Sequence, residues 1–113
     1  MKLIIAGSRN FTDMTAAAFH FCNLDFKVTE IISGGARGAD RCGEEVAKVY
    51  GVPIKQFIPD WNGLGKRAGF VRNADMADYA DAALIFWDGQ SKGSKHMIDL
   101  ATKKGLIVQV VMV

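Results

Sequence analysis

Four short stretches concentrate the side chains of this sequence that could do chemistry: Gly7-Ser8-Arg9-Asn10, Ser33-Gly34-Gly35-Ala36-Arg37-Gly38-Ala39-Asp40, Asp60-Trp61-Asn62-Gly63-Leu64-Gly65-Lys66-Arg67 and Asp88-Gly89-Gln90-Ser91-Lys92-Gly93-Ser94. Glycines mixed with hydroxyls and guanidiniums suit an anion. Glycine lets a ligand approach the backbone, and the free N–H groups and dipole at a helix start attract negative charge. Arginine and lysine add charge-assisted contacts to phosphate. On this reading Gly34, Gly35, Ala36, Gly38, Gly93 and Ser94 cradle phosphate, with Gly7, Ser8, Asn73, Gly89 and Ser91 completing the site. Arg9, Arg37 and Arg72 neutralise the charge, and Lys66 and Arg67 add to them. The plainer alternative is that the glycines only make turns and the arginines are solvated; two such loops on one edge favour the ligand.

Each of these stretches follows an apolar run. Lys2–Ala6 reads as a buried strand, Val28–Ser33 as a second, Pro53–Ile58 as a third at an edge, Ala82–Trp87 as a central fourth and Leu106–Val113 as a fifth. Between them lie helical patterns: one capped by Thr12 or Asp13 with Met14, Ala17, Ala18, Phe21 and Leu24 on its apolar face, then Ala39–Tyr50, Gly65–Tyr79 and Ser94–Lys104. Gly51 and Gly105 stop the second and last of these. Strands alternating with helices predict a single α/β domain over 1–113, a Rossmann-like three-layer fold with helices on both faces of a five-stranded parallel sheet. The most uniformly apolar short strands belong inside, which gives the order 3-2-1-4-5 with a switch point between strands 1 and 4. Ligands in such sheets bind outside the strands' carboxyl ends, where all four stretches fall.

Two common nucleotide signatures are absent. A dinucleotide fingerprint places G-x-G-x-x-G after the first strand, whereas these glycines follow the second and run G-G-x-x-G. Gly89–Lys95 is not a phosphate-binding P-loop, because its lysine follows Ser94 and the spacing is short.

Composition narrows the class further. The 113 residues are 50% hydrophobic and 23% charged, with 12 Gly against 2 Pro, which is globular and neither disordered nor collagenous. A chain of this size buries about two-thirds of its unfolded surface and needs no metal or disulfide to fold. A net charge of +2, from 14 basic and 12 acidic residues, is weak for a dedicated duplex-binding protein. Two cysteines make no disulfide framework and suit a reducing cytosol. The apolar start is too short for a secretory signal, and no stretch approaches the roughly 20 apolar residues that span a bilayer. A soluble cytoplasmic protein with no membrane partner is expected.

Five linked motifs carry a family resemblance: Gly7-Ser8-Arg9; Ser33 to Asp40; Asp60-Trp61 running to Gly65-Lys66-Arg67-Ala68-Gly69; Arg72-Asn73-Ala74-Asp75-Met76; and Phe86-Trp87-Asp88 to Ser94. In order, and over essentially the whole chain, they resemble the SLOG superfamily, and within it the small YspA-like (YpsA-related) branch of bacteria and phages. The superfamily includes DprA-type DNA-processing proteins and the lonely-guy phosphoribohydrolases. The resemblance implies a Rossmann-like fold that binds nucleotides or nucleotide-derived ligands as a sensor or processing domain, often as a dimer.

Lonely-guy enzymes cleave the N-glycosidic bond of a nucleoside monophosphate with an arginine and a glutamate. Arg72 matches the arginine's region. No glutamate stands in the turn after Gly93-Ser94; His96 or Asp99 occupies its approximate place. An oxocarbenium-like transition state needs a carboxylate nearby, and Asp40, Asp88 or Asp99 could substitute, so Arg72, Asp40 and Asp88 are the candidate catalytic residues. Each carboxylate also has a plainer role: Asp40 caps a helix, Asp88 orders a turn and Asp99 faces solvent. DprA-type relatives suggest single-stranded DNA as a further ligand, with Trp61, Phe70 and Trp87 stacking bases beside Arg37 and Lys66. Of these Trp61, between Asp60 and Asn62, is the one expected to be exposed.

His20, Cys22, Cys42 and His96 lack metal-site spacing, and both cysteines fall near apolar helix faces as small buried hydrophobes. No cofactor is identified; a divalent ion could arrive with a ligand's phosphates and be held by Asp40 or Asp88. The last strand is apolar on both faces apart from Gln109, and a homodimer or higher oligomer would cover it.

Overall fold

A computed structural model describes residues 1–113. Strand β1 (Lys2–Gly7) is paired on both sides, with β2 (Glu30–Ser33) and with β4 (Ala82–Trp87), and every pairing in the sheet is parallel. Edge strands β3 (Ile54–Gln56) and β5 (Ile107–Met112) complete the order β3-β2-β1-β4-β5, as the sequence predicts. The strand period of two separates two cores. Leu3, Ile5, Ile31, Ala82, Leu84 and Phe86 face α1 (Met14–Cys22) and α2 (Ala39–Tyr50). Ile4, Ile32, Ala83 and Ile85 face α4 (Ala68–Tyr79) and α5 (Lys92–Lys103), which contribute Met76, Met97 and Ala101.

Local signals explain most boundaries. The Asp13 carboxylate accepts from the Ala16 N–H and starts α1. Gly51, with φ of 68°, ends α2 in the left-handed conformation. The Ser91 hydroxyl starts α5 at Lys92, two residues before the predicted Ser94. The predicted helix from Gly65 to Tyr79 is α-helical only from Ala68, and an unpredicted turn of helix precedes it. Asp60 caps a one-turn helix, α3 (Trp61–Leu64), and a 3₁₀ turn over Gly65–Arg67 redirects the chain into α4. Strands β2 and β3 are shorter than their apolar patterns, so Ile58 and Pro59 lie in the loop after β3. Two burial expectations fail. Cys22 is exposed because it is the last residue of the short α1, whereas Cys42 is buried in the core. Phe70, not expected to be exposed, projects half-exposed from the first turn of α4, whose buried face is Ala68, Asn73, Met76 and Ala77.

Candidate functional site

The carboxyl ends of β1 and β4 and the start of α2 are tied together by one buried residue. Ser8 donates its N–H to the Phe86 carbonyl at 2.8 Å, its hydroxyl accepts from the Asp88 N–H at 3.0 Å, and its carbonyl accepts from the Ala39 N–H at 3.2 Å. Gly38 is pressed against this knot: with φ of 82°, a Cβ there would stand 2.4 Å from the Arg9 carbonyl oxygen. Ser8 and Gly38, both read as ligand contacts, are therefore the frame that fixes where Arg9 and α2 begin.

Arg72 and Asn73 make the second tie, between the loop after β2 and the start of α5. The Arg72 Nη1 donates to the Gly34 carbonyl at 2.8 Å and its Nε to the Asn73 Oδ1 at 3.0 Å. Asn73 in turn donates from Nδ2 to the Gly93 carbonyl at 3.2 Å, with the His96 Nδ1 equally near. His96 is part of this support, against Phe70 edge-on at 4.7 Å. Partial burial lowers its pKa, which suits a neutral ring accepting from Asn73.

Between these ties lies a cleft of about 90 Å³, room for about three water molecules. Its polar wall is Arg9, Asp40, Arg72, Asn73, Ser91 and Ser94; Gly7, Ala36 and Gly93 give backbone, and Ala6, Met76 and Met97 complete the lining. Arg9, Ala36 and Arg72 also line a broader groove of about 510 Å³, with Gly34, Gly35, Arg37, Ile58, Pro59 and Trp61. The two spaces thus adjoin across Arg9, Ala36 and Arg72, the smaller one on the α5 side.

The backbone is less free than glycine-rich loops suggest. The Gly35 N–H donates to the Ser33 hydroxyl and the Ala36 N–H to the Asp40 carboxylate. Glu44 backs that loop, accepting from the Ser33 hydroxyl at 2.6 Å and from Gln56 at 3.0 Å. After β4, Asp88 accepts from the N–H groups of both Gln90 and Ser91, which lower its pKa. The Ser94 N–H is held by Ser91. At the start of α5 the N–H groups of Lys92 and Gly93 remain without an intrahelical acceptor, and the positive end of the helix adds to them.

Charge inside the cleft is unusual. Asp40, 6% exposed, is raised from 3.8 to about 6, first by desolvation, with the Ala36 N–H and the Arg72 guanidinium opposing. Burial lowers the pKa of Arg72 from its free value, while the nearby Asp40 works the other way. The chain's three ion pairs, Lys48–Glu45, Lys95–Asp99 and Lys104–Asp78, all lie outside the cleft. Arg9 and Arg72 thus face the cleft, and Arg37 the outer groove, without a carboxylate within ion-pair distance.

The remaining predicted contacts sit elsewhere. Asp88 lines neither space, because its carboxylate orders the turn after β4. Gly89 makes that turn with φ of 82° against Met112. Lys66 and Arg67 are exposed on the 3₁₀ turn, outside both spaces. Conversely, Ile58 and Pro59 enter the groove because β3 ends early at Gln56; their position after an edge strand was the available signal. No three His, Cys, Asp or Glu side chains cluster as a metal centre requires.

This architecture is a Rossmann-like α/β domain. DNA processing protein A (DprA) from Streptococcus pneumoniae superimposes with a TM-score of 0.79 at 19% identity, over 96% of this chain and 49% of that one, so the chain spans about half of DprA's length. A predicted subunit of a tRNA methyltransferase from Methanocaldococcus jannaschii shares the fold more distantly, at a TM-score of 0.51 and 14% identity, over 99% of this chain and 68% of that one. The chain belongs to the family of the Gene 61 protein of Mycobacterium phage D29, being 32% identical to it over 117 residues, 95% of this chain and 93% of that protein. No family model matches.

Proposed function

We propose that this domain binds a phosphorylated nucleotide or nucleotide-derived ligand at the carboxyl edge of its sheet, as a sensor or processing domain of the YspA-like kind. One observation carries the reading: Arg9 and Arg72 line both the cleft at the start of α5 and the adjoining groove, Arg37 lines the groove, and no carboxylate pairs any of the three. Unpaired guanidiniums beside free backbone N–H groups supply what a phosphate needs. Any divalent ion would come with the ligand's phosphates, with Asp40 the carboxylate at hand. A cytosolic setting fits the free thiols Cys22 and Cys42.

A thermal-shift panel of AMP, other nucleoside monophosphates, ADP-ribose, NAD, cyclic nucleotides and a short single-stranded oligonucleotide tests the reading. A ligand at 100 times its dissociation constant adds about 2.7 kcal/mol, on the order of 10 °C for a domain this small. A shift with one nucleotide class supports it; a flat panel defeats it. A shift with the oligonucleotide alone favours a second reading, single-stranded DNA binding, which exposed Trp61 and the DNA-processing neighbour support. Phosphoribohydrolase activity is a third, supported by Asp40 beside Arg72; release of free base from a bound nucleoside monophosphate would establish it.

Self-association belongs to the same reading. No helix is long and apolar enough to cross a membrane, yet Ile107, Val110, Met112 and Val113 on and beside β5 are all more than a third exposed, and a second copy would cover them.

A further inference from the structure

We infer that the outer groove is a nucleobase subsite built on Trp61, so that the ligand is a free nucleotide with its terminal phosphate in the inner cleft and its base on the indole. This rests on the anion-binding reading above. The inner cleft, at about 90 Å³ the smaller of the two spaces, puts Arg9, Arg72, Asn73, Ser91 and Ser94 around the place a phosphate would occupy. A ligand anchored there has the adjoining 510 Å³ beside it, and that groove is lined by Ile58, Pro59 and Trp61 as well as by the arginines. Cationic groups and an apolar, aromatic wall within one groove match a nucleotide's two halves. Inorganic phosphate, or a bare sugar phosphate, would leave the apolar wall uncovered.

Trp61 is held in place for such a role. An isolated tryptophan on a surface loop would lose conformational freedom on binding, but this one is already fixed. Asp60 caps the single turn that carries it, accepting from the Gly63 N–H at 2.9 Å through its side chain and from the Leu64 N–H at 2.9 Å through its carbonyl. The indole tip rests over Gly69, where an added Cβ would lie 3.5 Å from Cη2. The ring nevertheless remains 52% exposed, and Ile58 beside it 65%. Two large apolar side chains left open in a groove shared with three guanidiniums are explained by a flat ligand that covers them. The smaller inner space, lined by Arg9, Arg72 and the start of α5, suits a phosphate at the end of a ligand, which distinguishes a free nucleotide from a nucleic-acid strand.

Titrations of the wild-type, Trp61→Ala and Trp61→Phe proteins would use four nucleoside 5′-monophosphates, ribose 5-phosphate and a short oligonucleotide without terminal phosphates. Isothermal calorimetry reads affinity, and tryptophan emission reads stacking, with Trp61→Phe separating Trp61 from Trp87. The expected result is quenching of Trp61 emission by at least one monophosphate. Its affinity should fall about tenfold in Trp61→Ala and largely return in Trp61→Phe, with ribose 5-phosphate binding equally to all three. Equal monophosphate affinity in wild type and Trp61→Ala overturns the base subsite while leaving the anion site intact. Tighter binding of the oligonucleotide than of any monophosphate overturns the free-nucleotide assignment. Failure of ribose 5-phosphate and every nucleotide to bind overturns both readings together.

Discussion

Replacing Asp40 by Asn should make this protein more stable at neutral pH and change it little in acid. The Asp40 carboxyl is buried at the first turn of α2, and its pKa rises from 3.8 to about 6, chiefly through desolvation. Between those two values the folded chain holds a proton that the unfolded chain has released. Stability therefore falls as pH rises through that window, and above it the full cost persists. At about 1.4 kcal/mol per pKa unit, the cost is about 3 kcal/mol. Asparagine keeps an oxygen to accept from the Ala36 N–H and carries no charge to desolvate. Urea unfolding of both proteins at pH 4 and pH 7.5 measures the effect. The stability difference, asparagine minus aspartate, should grow by about 2.4 kcal/mol between the two, because a little of the cost is already present at pH 4; that is on the order of 10 °C in melting temperature. A difference that is the same at both pH values would refute the account of Asp40. The neutral residue does the structural work at lower cost, so the carboxylate's use lies in the cleft it faces.

The other expectations are simpler. Arg37 is exposed on the groove and makes no hydrogen bond within the fold, so Arg37→Ala should weaken nucleotide binding by more than tenfold with an unchanged melting temperature; normal binding would misplace the phosphate site. Gly38→Ala drives a Cβ to 2.4 Å from the Arg9 carbonyl at a positive φ, so denaturation should show a loss of about 2 kcal/mol or more. Ending the chain before Ile107 strips the outer neighbour from β4 and should give an insoluble product; a monodisperse truncated protein by size-exclusion chromatography would count against β5 as an essential strand.

Legibility from sequence followed the range of the interactions involved. Sheet order was readable because burial is written into composition: β1 and β4 are short and almost wholly apolar, whereas β3 carries lysine and glutamine. The edge at which the loops gather followed from the parallel topology. What the residue types could not reveal was how the loops spend their own hydrogen-bonding groups. Asp88 and Ser91 look alike as polar residues after a strand, yet one is consumed by the backbone of its turn and the other lines the cleft. Ser8 and Gly38 read as ligand contacts and are a knot between β1, β4 and the start of α2, because the contacts that occupy Ser8 span 31 and 80 residues of sequence.

The same distinction separates the arginines. Arg72 was selected for its charge, but its first task is mechanical: it joins Gly34 to Asn73, and through Asn73 to Gly93, so it sets the width of the inner cleft. Arg9 and Arg37, exposed at the rim, have no such duty. Removing Arg72 therefore loosens the wall as well as deleting a charge, and it leaves Asp40 without the guanidinium that offsets its burial. Replacing Arg37 deletes a charge alone. Binding measured on these two variants thus divides the site into the part that holds its shape and the part that meets the ligand, a division that residue type conceals and hydrogen-bond geometry makes visible.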